Sequence, residues 1–309
     1  MSLPLSKVLV IGAGELGLEV LRSLSEEKRV KQGDTKVTVL LRPSASSSSK
    51  DTSAIERLGC STIRHDISTL DENGLAGILQ HYDAVVSCTG FAAGSGTQLK
   101  ITRATIAAKV KRFFPWQFGV DYDAIGHGSG QNLFDEQLEV RSLLQSQTNV
   151  DWIIVSTGIF MSFVFEDVFG VVVGATDASA DAIYVRALGA WENGLTVTAV
   201  EDIGRLTAGA LFDSSIGRQV IYTAGDTFTY DSLATAVQRV TGKQVHKELW
   251  DRRHLMEDLN VDPDNTILKY RVAFAAGKGV MWDKAASYNE SKGVSVTDVE
   301  TWLAQHVKR

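Results

Sequence analysis

The sequence predicts an α/β protein: a Rossmann-type, doubly wound parallel sheet with a smaller α+β lobe at its C-terminal side. Three observations lead to this fold class. Apolar runs typical of buried strands alternate with amphipathic helical patterns through the first half of the 309 residues. A G-x-G-x-x-G pattern directly follows the first apolar run. After about Phe160 the alternation gives way to short strands mixed with helices.

Six runs in the first half have the length and apolar character of sheet strands. Between several of them apolar residues recur at helical spacing, as at Leu16, Val20, Leu21 and Leu24. Strands that alternate with such helices favour a parallel sheet covered on both faces. The six runs are KVLVIG, KVTVLL, CSTIRH, DAVVSCTG, KRFFPW and DWIIVST.

The change of rhythm after the sixth run predicts two parts. We expect residues 1–159 to form the Rossmann domain. Residues 160–309 are expected to form mainly a substrate-binding lobe, from which some segments return to the Rossmann sheet. Because ligands of doubly wound folds bind beyond the carboxyl ends of the strands, we expect the lobe on that side.

Composition and charge exclude several classes of function. The net charge is −6 and the sequence pI is about 5.6, so no basic surface is predicted for nucleic acid or an anionic membrane. Neither a signal peptide nor a membrane-spanning run is recognisable, and no cluster has metal-ligand spacing. The two cysteines, Cys60 and Cys88, lie in apolar runs and favour a reducing compartment. We therefore expect a cytoplasmic protein without a metal site, either a monomer or a homodimer.

The glycine pattern consists of Gly12, Gly14 and Gly17, between a strand and a helix. In a dinucleotide-binding loop the first glycine allows a tight turn, the second lets the backbone approach the pyrophosphate, and the third lets helix and strand pack closely. The N–H groups at the start of the helix, at Glu15 and Leu16, then face the anion with the positive end of the helix dipole. The alternative is a tight strand-to-helix turn without a ligand. The position of the pattern favours the dinucleotide.

The residue after the second strand favours NADP(H) over NAD(H). NAD enzymes usually have an acidic residue there, whereas Arg42 can bind a 2′-phosphate through its planar guanidinium. Lys50 offers a further charge, although a solvated surface lysine is its simpler interpretation. Asp66, after the third strand, is positioned for the adenine region. Thr89 and Gly90, after the fourth strand, are positioned for the ribose and the nicotinamide.

Several motifs together carry a resemblance to a known family. In order along the chain they are GAGELG, LLRP, KRFFPWQFG, FDEQLEVR, VSTGIF, VEDIGRLTA and TYDSLATAVQRVTGK. The chain resembles the NmrA-like, atypical short-chain dehydrogenase family, especially its isoflavone reductase-like branch. That branch includes phenylcoumaran benzylic ether reductases and pinoresinol–lariciresinol reductases. The chain looks most similar to fungal members, in which PWQFG replaces the Pro-Ser-Glu-Phe-Gly of the plant branch.

The resemblance implies NADP(H) as the cofactor. It also implies that the segment from Phe114 to Phe118 forms a wall near the nicotinamide, with Phe160 across from it. For Phe113 and Phe118 a place in the core is the simpler expectation. The cofactor contacts that the resemblance implies are Gly12, Gly14, Gly17, Arg42, Lys50, Thr89, Gly90, Phe91, Pro115, Trp116, Gln117 and Phe160.

The chain departs from the family at the position of a lysine. Reductases of this branch share a Phe-x-x-Lys pattern just inside the helix after the fifth strand. The matching segment, LFDEQLEVR, has Phe134 followed by Gln137 in place of the lysine. Glutamine can hydrogen-bond to a substrate or a ribose hydroxyl, but it cannot deliver a proton near neutral pH. A reductase with this sequence therefore needs another proton donor.

The loop GVDYDAIGHGSGQN offers other groups for proton transfer. Asp121 and Tyr122 are the candidates, and Asp123 and His127 lie on the same loop. Tyrosine and histidine both act as general acids in enzymes. Each residue has a simpler alternative: the aspartates cap turns or a helix. For His127 we favour a solvated position.

Three functions follow from these residues. The first is an NADPH-dependent reductase of an aromatic or heterocyclic small molecule, in secondary metabolism. The second is an enzyme of non-redox rearrangement or isomerisation that retains bound NADP(H), which the replacement by Gln137 suggests. The third is a redox-sensing regulator that binds NADP(H) without turnover, as the namesake of the family is thought to do.

Overall fold

The structure is a computed structural model that describes residues 5–43, 49–90 and 94–307, with the main chain alone for residues 49–52. The predicted cofactor contact Phe91 therefore lies outside the described residues. The same holds for the side chain of Lys50.

The chain divides into two compact units, which do not follow the sequence in single blocks. Unit 1 comprises residues up to 117, 139–155 and 203–221, and unit 2 comprises 118–138, 156–202 and 222 onward. The domain boundary predicted after residue 159 stays a prediction.

Strands and helices follow one another closely along the described residues. In chain order the strands are β1 (Lys7–Ile11), β2 (Lys36–Leu41), β3 (Ser61–Arg64), β4 (Ala84–Ser87), β5 (Arg112–Phe114), β6 (Asp151–Ser156), β7 (Ile159–Phe160), β8 (Val172–Val173), β9 (Ile183–Leu188), β10 (Gly194–Thr198), β11 (Gln219–Tyr222), β12 (Asp226–Thr229) and β13 (Val245–Trp250). The helices are α1 (Glu15–Glu26), α2 (Lys28–Lys31), α3 (Ser49–Arg57), α4 (Glu72–Leu79), α5 (Thr97–Ala107), α6 (Tyr122–Ile125), α7 (Asp135–Gln145), α8 (Met161–Val164), α9 (Val200–Phe212), α10 (Tyr230–Thr241), α11 (Arg252–Val261), α12 (Thr266–Ala275), α13 (Tyr288–Ser291) and α14 (Val299–His306). A short 3-10 turn covers Lys284–Ala286.

The doubly wound sheet that the sequence predicts is present in unit 1. It has seven strands in the order β11-β6-β5-β4-β1-β2-β3, and β1 to β6 pair in parallel. All six apolar runs of the first half are strands of this sheet. Strand β11, from the second half of the chain, forms one edge of the sheet. The fold class is thus confirmed as a Rossmann-type α/β sheet with flanking helices.

The core of unit 1 follows from the central position of β1. Val8, Val10 and Ile11 are fully buried, because β1 lies between β2 and β4 and helices cover the sheet. Helix α1 buries the apolar stripe that the periodicity predicts, including Val20 and Leu24.

A buried arginine on β5 connects this strand to residues 210–216, a distant segment of unit 1. Arg112, on β5, is 1% exposed and its Nη2 lies 2.8 Å from Oδ2 of Asp151. Its guanidinium also donates to four main-chain carbonyl oxygens between residues 210 and 216. The cation is therefore neutralised and hydrogen-bonded inside the unit, as a buried charge requires.

Unit 2 contains two three-stranded sheets and an aromatic cluster. The orders are β12-β10-β7 and β13-β9-β8. Each central strand has one parallel and one antiparallel neighbour. In the cluster, Phe134 meets Tyr122 at 5.3 Å and Tyr270 at 5.7 Å between ring centroids, both edge-on. Phe163 stacks on Phe169 at 4.8 Å. Aromatic packing of this kind gives unit 2 its own apolar interior.

Both cysteines are buried free thiols. Burial raises the pKa of the Cys60 thiol to about 11, and it also raises that of Cys88. In the part of the chain that the structure describes, no helix has the length and apolar character needed to cross a lipid bilayer.

Candidate functional site

The turn from β1 into α1 requires glycine at its first position. Gly12 has a φ of +91°, a conformation that side chains with a Cβ rarely adopt. A Cβ at this position would lie 3.1 Å from Oγ1 of Thr89 and 3.2 Å from the carbonyl oxygen of Cys88. The loop after β1 is thus pressed against the end of β4, as expected for the first glycine of the pattern.

The other two glycines of the pattern differ from each other. A Cβ at Gly17 would lie 2.4 Å from the carbonyl oxygen of Gly12, so glycine is needed for α1 to pack against the loop. A Cβ at Gly14 would meet nothing within 4 Å. Gly14 is also the N-cap of α1 and offers no side chain to cap the helix. The start of α1 therefore has open space in front of it, where an anion can bind.

The two residues that begin α1 are oriented differently. Glu15 is exposed, whereas the side chain of Leu16 is buried in the core. If Leu16 contacts the cofactor, as predicted, it does so through its main-chain N–H.

The segment after β4 brings together two of the predicted cofactor residues. Thr89 donates from Oγ1 to the carbonyl oxygen of Ile11 at 3.2 Å, and its own carbonyl accepts from Nε2 of Gln98 at 2.8 Å. A Cβ at Gly90 would lie 3.1 Å from Cζ2 of Trp116. The partly exposed indole thus lies directly against Gly90. The indole of Trp116 therefore lies beside main chain that carries no side chain at Gly90.

Gln117 has a buried partner that the sequence analysis missed. Its side chain is fully buried, and Oε1 accepts a 2.8 Å hydrogen bond from Nε of Arg141, which is 1% exposed. Pro115, two residues earlier, is also buried. The amide of Gln117 therefore holds a buried arginine in unit 1, and its contact with a cofactor stays a prediction.

Arg42 is exposed at the end of β2, as predicted. Its carbonyl oxygen accepts a 3.2 Å hydrogen bond from Nη1 of Arg64, a residue that the sequence analysis did not consider. Asp66 accepts from the N–H and the hydroxyl of Ser68, at 2.9 and 2.7 Å. These bonds lower the pKa of Asp66, and the charge of Arg42 contributes a smaller part. Asp66 is thus an ionised residue of a turn close to Arg42.

In unit 2, both carboxylate oxygens of Asp121, a candidate for proton transfer, accept hydrogen bonds. Oδ1 accepts from the N–H of Ala124 at 3.3 Å and caps α6, as the simpler interpretation of the sequence suggested. Oδ2 accepts from the hydroxyl of Tyr222 at 3.0 Å. The Tyr222 ring meets Trp282 edge-on at 5.1 Å. Asp121, Tyr222 and Trp282 are all partly exposed.

Tyr122 and Gln137 are both buried. Tyr122 is 2% exposed, and its hydroxyl lies 2.5 Å from where a Cβ of Gly119 would be. The side chain of Gln137 is completely buried. Burial, with a smaller contribution from Tyr122, raises the pKa of Tyr270. These groups belong to the interior of unit 2.

The other predicted residues occupy separate places. Phe160 ends β7 and is partly exposed. His127 has a side chain 69% exposed and lies 3.8 Å from Asp135, which agrees with the solvated position we favoured. Phe113 and Phe118 are buried, as expected of core residues. No group of three or more His, Cys, Asp and Glu side chains among the described residues is arranged to hold a metal ion.

Comparisons with known proteins agree with these features. A model of the NmrA-like family matches residues 4–303. A curated NmrA-like family domain-containing oxidoreductase of Gibberella moniliformis is 40% identical over 303 residues, which are 96% of each chain. Phenylcoumaran benzylic ether reductase TP7 of Nicotiana tabacum is 26% identical over 270 residues, 84% of this chain and 82% of the relative.

Solved structures show the same fold. A crystal structure of isoflavone reductase superposes with a TM-score of 0.77 at 20% identity, covering 98% of this chain and 99% of the other. The complex of leucoanthocyanidin reductase with NADPH from Vitis vinifera superposes with a TM-score of 0.77 at 19% identity and the same coverage.

Proposed function

Because the chain belongs to the NmrA-like family, we propose that it is an NADPH-dependent reductase of an aromatic or heterocyclic small molecule in secondary metabolism. The observation that carries this proposal is the glycine loop of unit 1. Gly12 and Gly17 are fixed by close backbone approaches, whereas Gly14 faces open space at the start of α1. A loop with only a structural role would not need a bare, uncapped position there. A dinucleotide pyrophosphate needs that position.

The residues around the loop fit a dinucleotide phosphate. NADPH, when bound, supplies the hydride for the reduction. The N–H groups at the start of α1 bind the pyrophosphate. Thr89, Gly90 and Trp116 offer a hydroxyl, bare backbone and an aromatic face for the ribose and the nicotinamide. Arg42 binds the 2′-phosphate, which distinguishes NADPH from NADH.

The substrate class is proposed from the relatives and from the exposed aromatic side chains. Phenylcoumaran benzylic ether reductase is named for an aromatic substrate, and so is leucoanthocyanidin reductase. In this chain Trp116, Phe160 and Trp282 are all partly exposed. Aromatic side chains of this kind bind flat, largely apolar ligands by stacking.

Gln137, Asp121 and Tyr122 are the residues we assign to substrate orientation and proton transfer. The Gln137 amide orients a polar group but does not protonate it. Asp121 accepts or returns a proton through its carboxylate, and the bond from Tyr222 keeps that carboxylate in place. The phenol of Tyr122, which is 2% exposed, is the second group we assign to proton donation.

The non-redox alternative rests on Gln137, a completely buried glutamine where the family resemblance leads us to expect a lysine. An enzyme that rearranges or isomerises its substrate needs no proton to follow a hydride. The regulator without turnover rests on the same substitution.

Transfer of an isotope from the cofactor separates these functions. Purified protein is incubated with a cell metabolite extract and NADPH deuterated at the nicotinamide C4, in each stereochemical form, and metabolite masses are followed. We expect one metabolite to gain deuterium from one of the two forms. A changed metabolite without deuterium would favour the non-redox enzyme. Tight NADPH binding with no changed metabolite would favour the regulator.

A further inference from the structure

Arg64 lies beside Arg42 because of the strand register of unit 1. Strands β2 and β3 pair in parallel with Leu41 opposite Arg64. The segments that follow them therefore leave the sheet side by side, at the carboxyl ends of the strands. Arg42 is the first residue after β2, and Arg64 is the last residue of β3. Nη1 of Arg64 donates to the carbonyl oxygen of Arg42 at 3.2 Å. The guanidinium of Arg64 thus lies at the main chain of the proposed phosphate-binding residue.

The charges around this pair favour an anion. The carboxylate of Asp66 lies close enough to Arg42 to interact with its charge, and it already accepts two hydrogen bonds from Ser68. The nearby Lys100 donates from Nζ to the carbonyl oxygens of residues 67 and 70. Two arginines at adjacent strand ends create a local positive potential that attracts an anion. A dianionic phosphate complements such a potential.

We propose that Arg64 is a second selectivity determinant for the 2′-phosphate of NADPH, acting together with Arg42. The inference rests on the proposed function. A guanidinium has five N–H donors, so a bond to the Arg42 carbonyl is compatible with a simultaneous bond to phosphate. The Arg64–Arg42 bond also fixes the main chain from which the Arg42 side chain extends. The 2′-hydroxyl of NADH carries no charge and gains much less from a second guanidinium.

The test compares the affinities of NADPH and NADH, measured by titration of nicotinamide fluorescence, in the wild type and in Arg64→Gln. We expect Arg64→Gln to weaken NADPH binding about tenfold or more, as for loss of one charge-assisted hydrogen bond. NADH affinity should change less than about twofold, because its ribose presents no phosphate. Arg103→Gln is the matched control: Arg103 is an exposed arginine of unit 1, on α5, in an ion pair with Glu72. The control should leave both affinities unchanged.

Three outcomes would overturn the inference or its premise, and they differ. Equal weakening of NADPH and NADH would mean that Arg64 only supports the loop. Unchanged NADPH affinity would mean that it has no part in binding. A wild-type protein that binds neither dinucleotide would instead refute the proposed function. If Arg64→Gln does not fold, Arg64→Met keeps the unbranched stem and carries the same expectations.

Discussion

The hydroxyl of Tyr222 donates a 3.0 Å hydrogen bond to Oδ2 of Asp121, although 101 residues separate the two in the chain. The ring of Trp282 contacts the ring of Tyr222 edge-on. Nε1 of Trp282 donates to the carbonyl oxygen of Thr223 at 3.1 Å. The main-chain N–H of Asp121 donates to the carbonyl oxygen of Gly279 at 2.8 Å. The candidate acid–base carboxylate is therefore fixed by two remote segments of unit 2.

Replacing Tyr222 by phenylalanine tests the value of this bond. Tyr222→Phe should lower the free energy of unfolding by about 1 to 2 kcal/mol, since it removes a hydrogen bond to a carboxylate and almost no volume. Urea denaturation at neutral pH measures the change. Asp121→Ala and the double variant complete a mutant cycle. A coupling energy near zero would show that the bond does not stabilise the protein.

Alanine at Gly14 and at Gly17 should have opposite effects. Gly14 has an ordinary negative φ and open space, so Gly14→Ala should fold and lose no more than about 1 kcal/mol, the cost of alanine at an N-cap. It should abolish NADPH binding, because the new methyl group would occupy the proposed place of the pyrophosphate. Gly17→Ala should instead destabilise the protein by about 1 to 3 kcal/mol, because its Cβ clashes with the main chain of Gly12.

Thermal melting and fluorescence titration of both variants check this prediction. Each variant is the control for the other, since both add one methyl group to the same loop. A folded Gly14→Ala protein that binds NADPH like the wild type would contradict the assignment of the loop.

The fold and the glycine loop were predictable because their signals are local. A strand, a turn and the start of a helix occupy a single stretch, and the packing roles of Gly12 and Gly17 follow from their spacing. The position of Arg42 follows in the same way from the end of the second strand. Alternation of strand and helix patterns was sufficient for the sheet, because parallel pairing requires covered faces.

The partners within the candidate site were not predictable, because they depend on long-range packing. Tyr222 belongs to a strand that the sequence placed with the smaller lobe, and no motif connects it to Asp121. Arg141 is one of several charged residues on a helix, and its burial against Gln117 appears only in the folded chain. Arg64 is the exception: a basic residue at the end of the third strand was a usable signal.

Arg112 should be among the most sensitive positions of unit 1. Arg112→Met keeps much of the side-chain volume but leaves Asp151 and four carbonyl oxygens without their donor. We expect a loss of about 3 to 5 kcal/mol in the free energy of unfolding. Urea denaturation measures it, with Arg103→Met as an exposed control that should cost less than about 1 kcal/mol. Equal losses in the two variants would refute the structural role of the buried ion pair.

The carboxylate of Asp83 should make stability depend on pH in the acid range. Burial alone would raise its pKa, but hydrogen bonds from Lys111, Ser6 and Lys7 outweigh burial and lower it to about 2. Because the folded pKa lies below the unfolded value of 3.8, the stabilisation is complete above that value. It is lost as the pH falls through the folded pKa.

Asp83→Asn provides the comparison, since asparagine does not titrate. Between pH 6 and pH 3 the wild type should lose about 1 kcal/mol more unfolding free energy than the variant, because part of the advantage of the lowered pKa disappears over that interval. Urea denaturation at the two pH values measures the difference. Other carboxylates titrate in both proteins and cancel in the comparison. Parallel losses in the two proteins would mean that the bonds from Lys111 and Ser6 do not lower the Asp83 pKa in solution.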